Sequence, residues 1–352
     1  MKLAVFSSQP YDQHFLNAAA ASLAPALRLT HHIFPLSEET VALAAGADAV
    51  CVFVNDTLDR PVLAALAAAG TKCVLLRCAG YNNVDLAAAD ALGIAVSNVP
   101  AYSPEAVAEF TIALILTLNR KTHRAYSRVR EGNFSLDGLL GFNLHRKTVG
   151  IVGTGNIGVA TARILAGFGC RLLAYDPYES QAFKDLGGTY APLDALLRES
   201  DIVTLHCPLT PATHHIISAS TLALLKPGAM LVNCSRGALI DTAAVIAALK
   251  QRRLGALALD VYESEANLFY KDRSSEVIDD DVFQRLMTFP NVLVAGHQGF
   301  FTQEACREIA ETTIRSFEDW RQGMPSKYLL TGQKAGGGPA GGQRGEGLPP
   351  RE

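Results

Sequence analysis

The chain has no excess of charge of either sign and no long uninterrupted run of apolar residues. Its 352 residues include 31 basic and 34 acidic side chains, which gives a formal net charge of −3. Electrostatic binding to nucleic acid would require a basic excess. The longest apolar stretch, 106–118, is interrupted by Glu109 and is too short to span a bilayer. We therefore expect neither a nucleic-acid partner nor a membrane partner.

The sequence also lacks a secretion signal, a disulfide framework and zinc-ligand spacing. Residues 1–7 give only a short apolar run, whereas a signal peptide needs a longer one and a cleavage site of small residues. The seven cysteines are odd in number and scattered, unlike a disulfide framework. Cys73 and Cys78 are close together, but no second pair of Cys or His stands at zinc spacing. The sequence predicts a cytoplasmic protein without a catalytic metal.

Short apolar runs alternate with helical stretches along most of the chain, whose length suggests about two domains at about 150 residues each. Such alternation predicts an α/β fold with two Rossmann-like or flavodoxin-like domains, each built on a parallel sheet. The predicted strands are 2–6, 49–54, 73–76, 94–97, 148–152, 171–175, 202–205, 230–233, 256–259 and 292–295. The predicted helices include 61–69, 86–92, 103–121, 242–250 and 303–320.

A glycine-rich turn follows the predicted strand 148–152 and precedes an apolar helix. Its sequence is Gly153-Thr154-Gly155-Asn156-Ile157-Gly158, which fits G-x-G-x-x-G. The pattern is weak alone, but this strand–turn–helix context is the one that dinucleotide binding requires. The first glycine permits the tight turn, the second lets a pyrophosphate approach the backbone, and the third lets helix and strand pack closely. The sequence predicts a dinucleotide site here.

Asp176 ends the next predicted strand, 18 residues after Gly158 (176 − 158). An acidic residue about 20 residues on commonly binds the adenine ribose 2′-hydroxyl. A carboxylate there would repel the 2′-phosphate of NADP, and Pro177 and Tyr178 follow without a nearby Arg. The sequence therefore favours NAD over NADP as the cofactor.

Several further motifs together resemble the D-isomer-specific 2-hydroxyacid dehydrogenase family over about residues 1–330. Within the family the chain is most similar to the fermentative members that act on D-lactate, through the stretches 262–270, 280–283 and 296–302. The motifs that carry the family resemblance are 77–85, the glycine motif, 225–228, 233–237, 258–263 and Gly296-His297.

The resemblance implies a catalytic triad of Arg236, Glu265 and His297. A planar guanidinium at Arg236 suits bidentate binding of a 2-keto acid's carboxylate. His297 is the residue type that donates a proton to a forming alkoxide near neutral pH. An ionised Glu265 would favour the imidazolium and orient the ring. The activity implied is reversible reduction of pyruvate to D-lactate by NADH, with His297 as the proton donor.

The resemblance also assigns residues to the two ligands. Substrate contacts are expected from the Cys78-Ala79-Gly80 loop and from the aromatic residues Tyr102 and Phe300, which equally suit packing alone. Arg77 is either an extra carboxylate anchor or a member of a solvent-exposed ion pair, and we favour the ion pair. Cofactor contacts beyond the glycine motif and Asp176 are expected from two segments and one aspartate, namely His206, Cys207, Pro208, Thr213, Cys234, Ser235, Arg236 and Asp260.

The domain arrangement expected from the resemblance is a cofactor domain inserted into a discontinuous substrate domain. The substrate domain would comprise 1–100 and 298–330, the NAD-binding domain 101–297, and the Gly/Pro-rich segment 331–352 would be a disordered tail. A homodimer or homotetramer is expected, since family members usually dimerise through the cofactor domain.

Two alternatives to this function stay open. The first is another family activity, such as glyoxylate or hydroxypyruvate reduction or 3-phosphoglycerate oxidation; formate-oxidising members carry Gln where Glu265 stands. The second is an NADH-sensing binding protein without turnover, such as a transcriptional corepressor on the same scaffold. Turnover of NADH with a 2-keto acid separates the enzyme from the sensor.

Overall fold

A computed structural model of the chain describes residues 1–324 and 326–332. Contacts divide the chain into two compact units, one built from Met1–Ser103 together with the residues from Thr302 onward, the other from Pro104–Phe301. The second unit is thus inserted between the two parts of the first. The sequence placed these boundaries after residues 100 and 297, which is three and four residues earlier (103 − 100 and 301 − 297).

The predicted disordered tail began at residue 331, but its first two residues are held by the first unit. Thr331 is buried, and its Oγ1 accepts the backbone N–H of Val96 at 2.9 Å. The N–H of Gly332 donates to Asp90 Oδ1 at 2.7 Å. The rest of that predicted tail, from residue 333, lies outside the described residues.

The first unit contains a five-stranded sheet in which every pairing is parallel. The strand order is β2-β1-β3-β4-β5. The two strands at positions three and four of this order, β3 and β4, are buried at every residue, as expected for a parallel sheet covered on both faces. The strands are β1 (Lys2–Val5), β2 (Arg28–His31), β3 (Ala49–Val52), β4 (Cys73–Leu76) and β5 (Ala95–Ser97).

Helices connect these strands and begin at side chains suited to capping. Asp59 Oδ1 accepts the N–H of Val62 at 3.1 Å, and Asp85 Oδ1 accepts the N–H of Ala88 at 2.8 Å, so each carboxylate satisfies a free donor at a helix start. The helices are α1 (Pro10–Leu23), α2 (Arg60–Ala68) and α3 (Leu86–Ala91), with a 3₁₀ turn at Val41–Ala44.

The second unit contains a seven-stranded parallel sheet of order β12-β11-β10-β9-β6-β7-β8. The direction of strand addition reverses between β6 and β9, and ligands of doubly wound sheets bind outside the carboxyl ends of the strands at such a point. The strands are β6 (Thr148–Val152), β7 (Arg171–Tyr175), β8 (Thr189–Tyr190), β9 (Ile202–Leu205), β10 (Ala229–Asn233), β11 (Leu254–Leu259) and β12 (Val292–Val294).

Helices cover both faces of this second sheet, and apolar side chains fill the two layers between them. One layer packs Ile115 of the long helix α4 with Ile151 and Leu165; the other packs Leu205, Leu231 and Val245. The helices are α4 (Pro104–Arg120), α5 (Thr122–Arg130), α6 (Asn156–Gly167), α7 (Gln181–Asp185), α8 (Leu193–Glu199), α9 (Ala219–Leu222), α10 (Thr242–Lys250) and α11 (Asp281–Met287), with 3₁₀ turns at Gly237–Leu239 and Glu265–Asn267.

The chain then returns to the first unit through the helix α12 (Gln303–Arg321). Ile314 and Phe317 of this helix are fully buried and share one apolar cluster with Leu16 of α1 and Leu3 of β1. The predicted α/β architecture with two parallel sheets is therefore confirmed. No helix within 1–324 and 326–332 is both long enough and apolar enough to cross a membrane.

Candidate active site

The glycine-rich turn lies at the switch point of the second sheet, between β6 and α6. Gly153 has φ +98°, and a Cβ atom built on it would lie 2.5 Å from the backbone nitrogen of Cys207. A Cβ on Gly158 would lie 2.1 Å from the carbonyl oxygen of Gly153, so helix and strand are in direct backbone contact. Only glycine fits at these two positions.

Gly155 differs from these two glycines because no atom lies within 4 Å of the position its Cβ would take. It is the N-cap of α6, and no side chain caps the helix. The first-turn N–H groups, including those of Asn156 and Ile157, have no intrahelical partner. An uncapped, unobstructed helix N-terminus at a switch point fits a pyrophosphate.

Asp176 follows β7 beside this turn. Its Oδ2 accepts the N–H of Thr154 at 2.6 Å, and its Oδ1 accepts the N–H of Tyr178 at 2.8 Å. Tyr190 fixes Thr154 from the other side, with 2.8 Å between the two hydroxyl oxygens. The carboxylate is thus held beside the glycine turn, and its remaining lone pairs can accept hydrogen bonds from a ribose.

The segment after β9 contains the predicted cofactor residues His206, Cys207, Pro208 and Thr213. His206 Nε2 lies 2.9 Å from Thr204 Oγ1, whereas Nδ1 is buried and has no hydrogen-bond partner in the part of the chain that the structure describes. Burial lowers the pKa of His206 to about 4, so the ring is neutral at pH 7. Thr213 Oγ1 donates to the carbonyl of Pro208 at 2.6 Å, which closes the loop and leaves Thr213 only acceptor capacity.

The thiols of this region are not nucleophiles near neutral pH. Burial raises the pKa of Cys207 to about 11 and that of Cys234 to about 12. The thiolate is the reactive form of cysteine, so neither side chain is a candidate nucleophile.

Arg236 lies two residues after Cys234, at the carboxyl end of β10. Ser235 Oγ donates to the carbonyl of Cys207 at 2.7 Å, which ties this loop to the segment after β9. Arg236 Nη1 donates to the carbonyl of Ser235 at 2.7 Å, while Nε and Nη2 donate to no described residue. One edge of a half-buried guanidinium is thus available to a planar anion.

Glu265 and His297 form a close pair in the segments that follow the neighbouring strands β11 and β12. Glu265 begins the 3₁₀ turn after β11, and His297 follows β12. Glu265 Oε1 lies 2.8 Å from His297 Nδ1, and Oε2 accepts the N–H of Tyr262 at 2.9 Å. The side chains are 18% (His297) and 23% (Glu265) exposed. Nε2 of His297 bonds to nothing in the described ranges, so this nitrogen is available to a reacting oxygen.

The backbone of His297 is in the left-handed region, with φ +56°. Asp260 holds the adjoining turn, because its Oδ1 and Oδ2 accept the N–H groups of Gln298 and Gly299, each at 2.8 Å. Its carbonyl accepts the N–H of His297, also at 2.8 Å. Burial raises the pKa of Asp260 above its usual range. The aspartate was predicted as a cofactor contact; in the structure its carboxylate shapes the turn that carries the histidine.

Sequence reasoning missed Tyr270, which lies beside the histidine. Its hydroxyl donates to the carbonyl of His297 at 3.2 Å, and the two ring centroids are 5.7 Å apart. Tyr270 belongs to a stretch used only as a family resemblance. A tyrosine whose partner is a backbone carbonyl leaves no spacing pattern in the sequence, so no signal pointed to it.

The predicted substrate loop, Cys78–Gly80, follows β4 in the first unit. Asn98 Nδ2 donates to the carbonyl of Ala79 at 2.8 Å, and the N–H of Val99 donates to the carbonyl of Cys78 at 3.1 Å. The N–H groups of Ala79 and Gly80 donate to no residue in the described part of the chain. The loop is fixed through its carbonyls, and two donors are left for an anion.

Arg77, which precedes this loop, corrects the sequence prediction of a solvent-exposed ion pair. Its Nε donates to Asp12 Oδ1 at 3.0 Å and its Nη2 to the carbonyl of Ser7 at 2.7 Å, and only 2% of the side chain is exposed. The guanidinium lies 5.0 Å from the centre of the Phe53 ring. Arg77 is a buried structural cation and does not face a ligand.

The remaining predicted residues are the two aromatics, Tyr102 in the first unit and Phe300 in the second. Tyr102 is half-buried and Phe300 is buried. Phe300 lies 6.0 Å from Phe301 in an edge-to-face arrangement. Among residues 1–324 and 326–332, no three His, Cys, Asp or Glu side chains are placed to hold a metal ion.

Comparisons with known proteins give the family of the chain. A sequence model of the D-isomer specific 2-hydroxyacid dehydrogenase family, NAD binding domain, matches residues 112–299. The chain is 59% identical over 340 residues to D-lactate dehydrogenase kk1H of Curvularia clavata, covering 96% of this chain and 97% of that protein. The chain belongs to the D-isomer specific 2-hydroxyacid dehydrogenase family, as its motifs predicted.

Solved structures agree with the assignment. The apo-structure of D-lactate dehydrogenase from Escherichia coli superposes with a TM-score of 0.87 at 49% identity, covering 94% of this chain and 100% of that one. D-lactate dehydrogenase with NAD⁺ from Lactobacillus jensenii gives a TM-score of 0.79 at 33% identity, with 94% and 100% covered. Both are similar to this chain over both of its units.

Proposed function

We propose that the protein is an NAD-dependent enzyme that reduces pyruvate to D-lactate and catalyses the reverse reaction. One observation carries the proposal. Arg236, Glu265 and His297 follow the adjacent strands β10, β11 and β12, and the histidine is paired with the glutamate at 2.8 Å through Nδ1. This geometry leaves an imidazole nitrogen and a guanidinium edge for one small 2-keto acid.

His297 is proposed as the proton donor. Its Nδ1 is engaged by Glu265, so the proton on Nε2 is the one that can move. A ring that carries a proton on Nε2 can donate it to the alkoxide formed by hydride transfer. In the reverse direction, the neutral imidazole accepts the hydroxyl proton of the 2-hydroxy acid at the same nitrogen.

Two groups are proposed to bind the substrate carboxylate. The free edge of Arg236, formed by Nε and Nη2, matches a carboxylate in a bidentate manner. The N–H groups of Ala79 and Gly80 are further donors. Charge and two-point attachment would orient the keto group before reaction.

NAD is the proposed cofactor, and it supplies or accepts the hydride when bound. The N-terminus of α6 at Gly155 would hold the pyrophosphate, and Asp176 the adenine ribose. His206 would contribute an uncharged side chain to the wall of this pocket, because burial lowers its pKa to about 4. Its Nδ1 has no hydrogen-bond partner among the described residues. The carboxylate of Asp176 favours NAD over NADP.

The choice of pyruvate rests on the relatives and on one aromatic residue. Two relatives, at 59% and 51% identity, are named D-lactate dehydrogenase. Phe300, which is buried three residues after His297, is an aromatic residue suited to packing against a small group such as methyl. Glyoxylate and hydroxypyruvate, which are also small 2-keto acids, are the competing substrates.

A substrate panel tests the proposal. Purified protein is assayed for NADH and NADPH oxidation with pyruvate, hydroxypyruvate, glyoxylate and phenylpyruvate at equal concentrations. We expect the highest kcat/KM with NADH and pyruvate. Binding of NADH without oxidation by any of the four acids would instead identify a cofactor-sensing protein, and a preference for glyoxylate or hydroxypyruvate would reassign the substrate.

We also propose that the chain is a cytoplasmic homodimer or homotetramer. Phe134, Leu136 and Leu140, in the segment after α5, are 74%, 82% and 88% exposed. Three large apolar side chains within seven residues are typical of a surface that another chain covers. All seven cysteines are unpaired, which suits a reducing compartment.

Light scattering on size-exclusion fractions tests the oligomer. The double substitution Leu136→Ser/Leu140→Ser is expected to lower the native mass to that of one chain of 37.5 kDa. Val277→Ser is a matched control, because Val277 is 85% exposed elsewhere in the second unit. An unchanged mass in the double variant would contradict this surface as the interface.

A further inference from the structure

The backbone at His297 is in a conformation that non-glycine residues rarely adopt, and it is held from two sides. With φ +56°, His297 lies in the left-handed region. Its N–H donates to the carbonyl of Asp260 at 2.8 Å, and the next two N–H groups donate to the Asp260 carboxylate. Asp260 thus fixes the N–H side of this turn. Strained backbone of this kind persists when its surroundings over-determine it.

Tyr270 holds the carbonyl side of the same turn. Its hydroxyl donates to the carbonyl oxygen of His297 at 3.2 Å. The tyrosine ring lies 5.7 Å from the imidazole, centre to centre, with 37° between the ring planes. Tyr270 itself has φ +63°, so its backbone is also in the left-handed region.

Tyr270 and Glu265 belong to one short segment that is fixed to the second unit. The N–H groups of Leu268 and Phe269 both donate to the carbonyl of Glu265 at 2.9 Å. Phe269 is buried and packs its ring edge-to-face against Phe283. The same segment therefore contacts the histidine twice, at Nδ1 through Glu265 and at the carbonyl through Tyr270.

We propose that Tyr270 is a positioning residue that sets the direction of His297 Nε2. The inference rests on the proposed function, in which Nε2 donates the proton. Glu265 fixes one atom of the ring and Asp260 fixes the N–H side of the turn, which leaves the carbonyl side of His297 to be held by Tyr270. The Tyr270 ring also limits rotation of the imidazole.

Substitutions of Tyr270 separate positioning from folding. Tyr270→Phe removes the hydroxyl and keeps the ring, whereas Tyr270→Leu removes both. Since displacement of a catalytic group by about 1 Å can cost about 100-fold in rate, we expect kcat to fall about fivefold for Phe and about fiftyfold for Leu. KM for pyruvate and the Kd for NADH, measured by fluorescence, are expected to stay within about twofold, because neither binding group is moved.

A solvent isotope effect provides a readout that a purely structural role would not change. Misdirection of Nε2 slows proton transfer, so the D₂O effect on kcat is expected to be larger in Tyr270→Phe than in the wild type. Tyr126→Phe is the matched control, since it removes a tyrosine hydroxyl that accepts from Arg130 Nη1 at 3.1 Å on the exposed helix α5. We expect this control to match the wild type in kcat and in isotope effect.

Three outcomes overturn the inference in distinguishable ways. If the wild type is active and Tyr270→Phe has the same kcat and isotope effect as the wild type, the positioning role is refuted and the proposed function stands. A fall in thermal stability with unchanged kcat would make Tyr270 structural. If the wild type does not oxidise NADH with any of the 2-keto acids, the proposed function and this inference are both refuted. If Tyr270→Leu does not fold, Tyr270→Phe decides the question.

Discussion

Two of the close pairs of a cationic side chain and a carboxylate, one in each unit, differ in burial. In the first unit, Arg77 and Asp12 are 3.0 Å apart with side chains 2% and 10% exposed. In the second, His297 and Glu265 are 2.8 Å apart with side chains 18% and 23% exposed. The distances are nearly equal, so distance alone does not separate the roles of the pairs.

The bonds left over decide what each pair can do. Arg77 also donates to the carbonyl of Ser7, and its Nη1, which has no hydrogen-bond partner among the described residues, is buried. Such a pair stabilises chiefly through the cost of breaking it, because a lone buried charge is strongly unfavourable. His297 keeps Nε2 for a ligand, because only Nδ1 is engaged by Glu265 among the described residues. The His297–Glu265 pair leaves a ring nitrogen for a ligand, whereas the nearly enclosed Arg77–Asp12 pair holds the fold.

Removal of the proton donor is the largest expected effect. His297→Gln is expected to lower kcat by about 10²- to 10⁴-fold, the usual contribution of a general acid. Kd for NADH should stay within about twofold, as measured by fluorescence titration. An equal loss in kcat and in NADH binding would instead assign His297 a structural role. The His297–Glu265 pair would then have the same role as the Arg77–Asp12 pair.

Removal of the buried cation should affect stability rather than chemistry. Arg77→Met leaves Asp12 buried without its partner, so the free energy of unfolding is expected to fall by about 3–5 kcal/mol in denaturant titrations. The double variant Arg77→Met/Asp12→Asn removes the unpaired charge and should recover part of the loss. A stability loss below about 1 kcal/mol in Arg77→Met would show that the pair is not a structural anchor.

His206 extends the contrast to a half-buried histidine without a carboxylate partner in the described part of the chain. Burial lowers its pKa from 6.5 to about 4, so between these values the unfolded chain binds the proton more tightly than the folded one. Stability should therefore fall as pH falls from about 6.5 to about 4, by no more than about 3 kcal/mol from this residue.

The matched variant is His206→Gln, which does not titrate and can still bond to Thr204. It is expected to lose less stability across that pH interval than the wild type, measured as the free energy of unfolding at several pH values. If the free energy of unfolding depends on pH in the same way in both proteins, folding does not lower the pKa of His206.

The smallest expected effect concerns the shape of the carboxylate-binding cation. Arg236→Lys keeps the charge but removes the planar fork, so kcat/KM for pyruvate should fall roughly 10- to 100-fold, or about 1.4–2.7 kcal/mol. Kd for NADH provides the control. An unchanged kcat/KM would argue against the clamp and leave the N–H groups of Ala79 and Gly80 as the main carboxylate contacts.

Most of the fold was predictable because buried parallel strands read as short apolar runs. Among the strands, the exceptions are β2 and β8, which were not predicted; among the helices, α1 and α5 were not predicted. Both strands lie at sheet edges; β2 alternates exposed Arg28 and Thr30 with half-buried neighbours, and β8 has only two residues. Edge strands lack the continuous apolar signal that reveals central ones.

The candidate site was predictable where a motif fixes spacing, as for the glycine turn and Asp176. The pairing of Glu265 with His297, 32 residues apart, required the family resemblance. The burial of Arg77 was not predictable, because its partner Asp12 is 65 residues away in the sequence. Tyr270 was missed for a related reason. Its partner is a backbone carbonyl, and since every residue has one, the type of the partner residue gives no signal.

Chiral analysis of the product tests the central claim most directly. Wild-type protein is incubated with NADH and excess pyruvate, and the lactate formed is resolved by enantiomer and compared with the NADH consumed. We predict one D-lactate for each NADH oxidised. L-lactate, or retention of NADH in a bound but unoxidised state, would contradict the account.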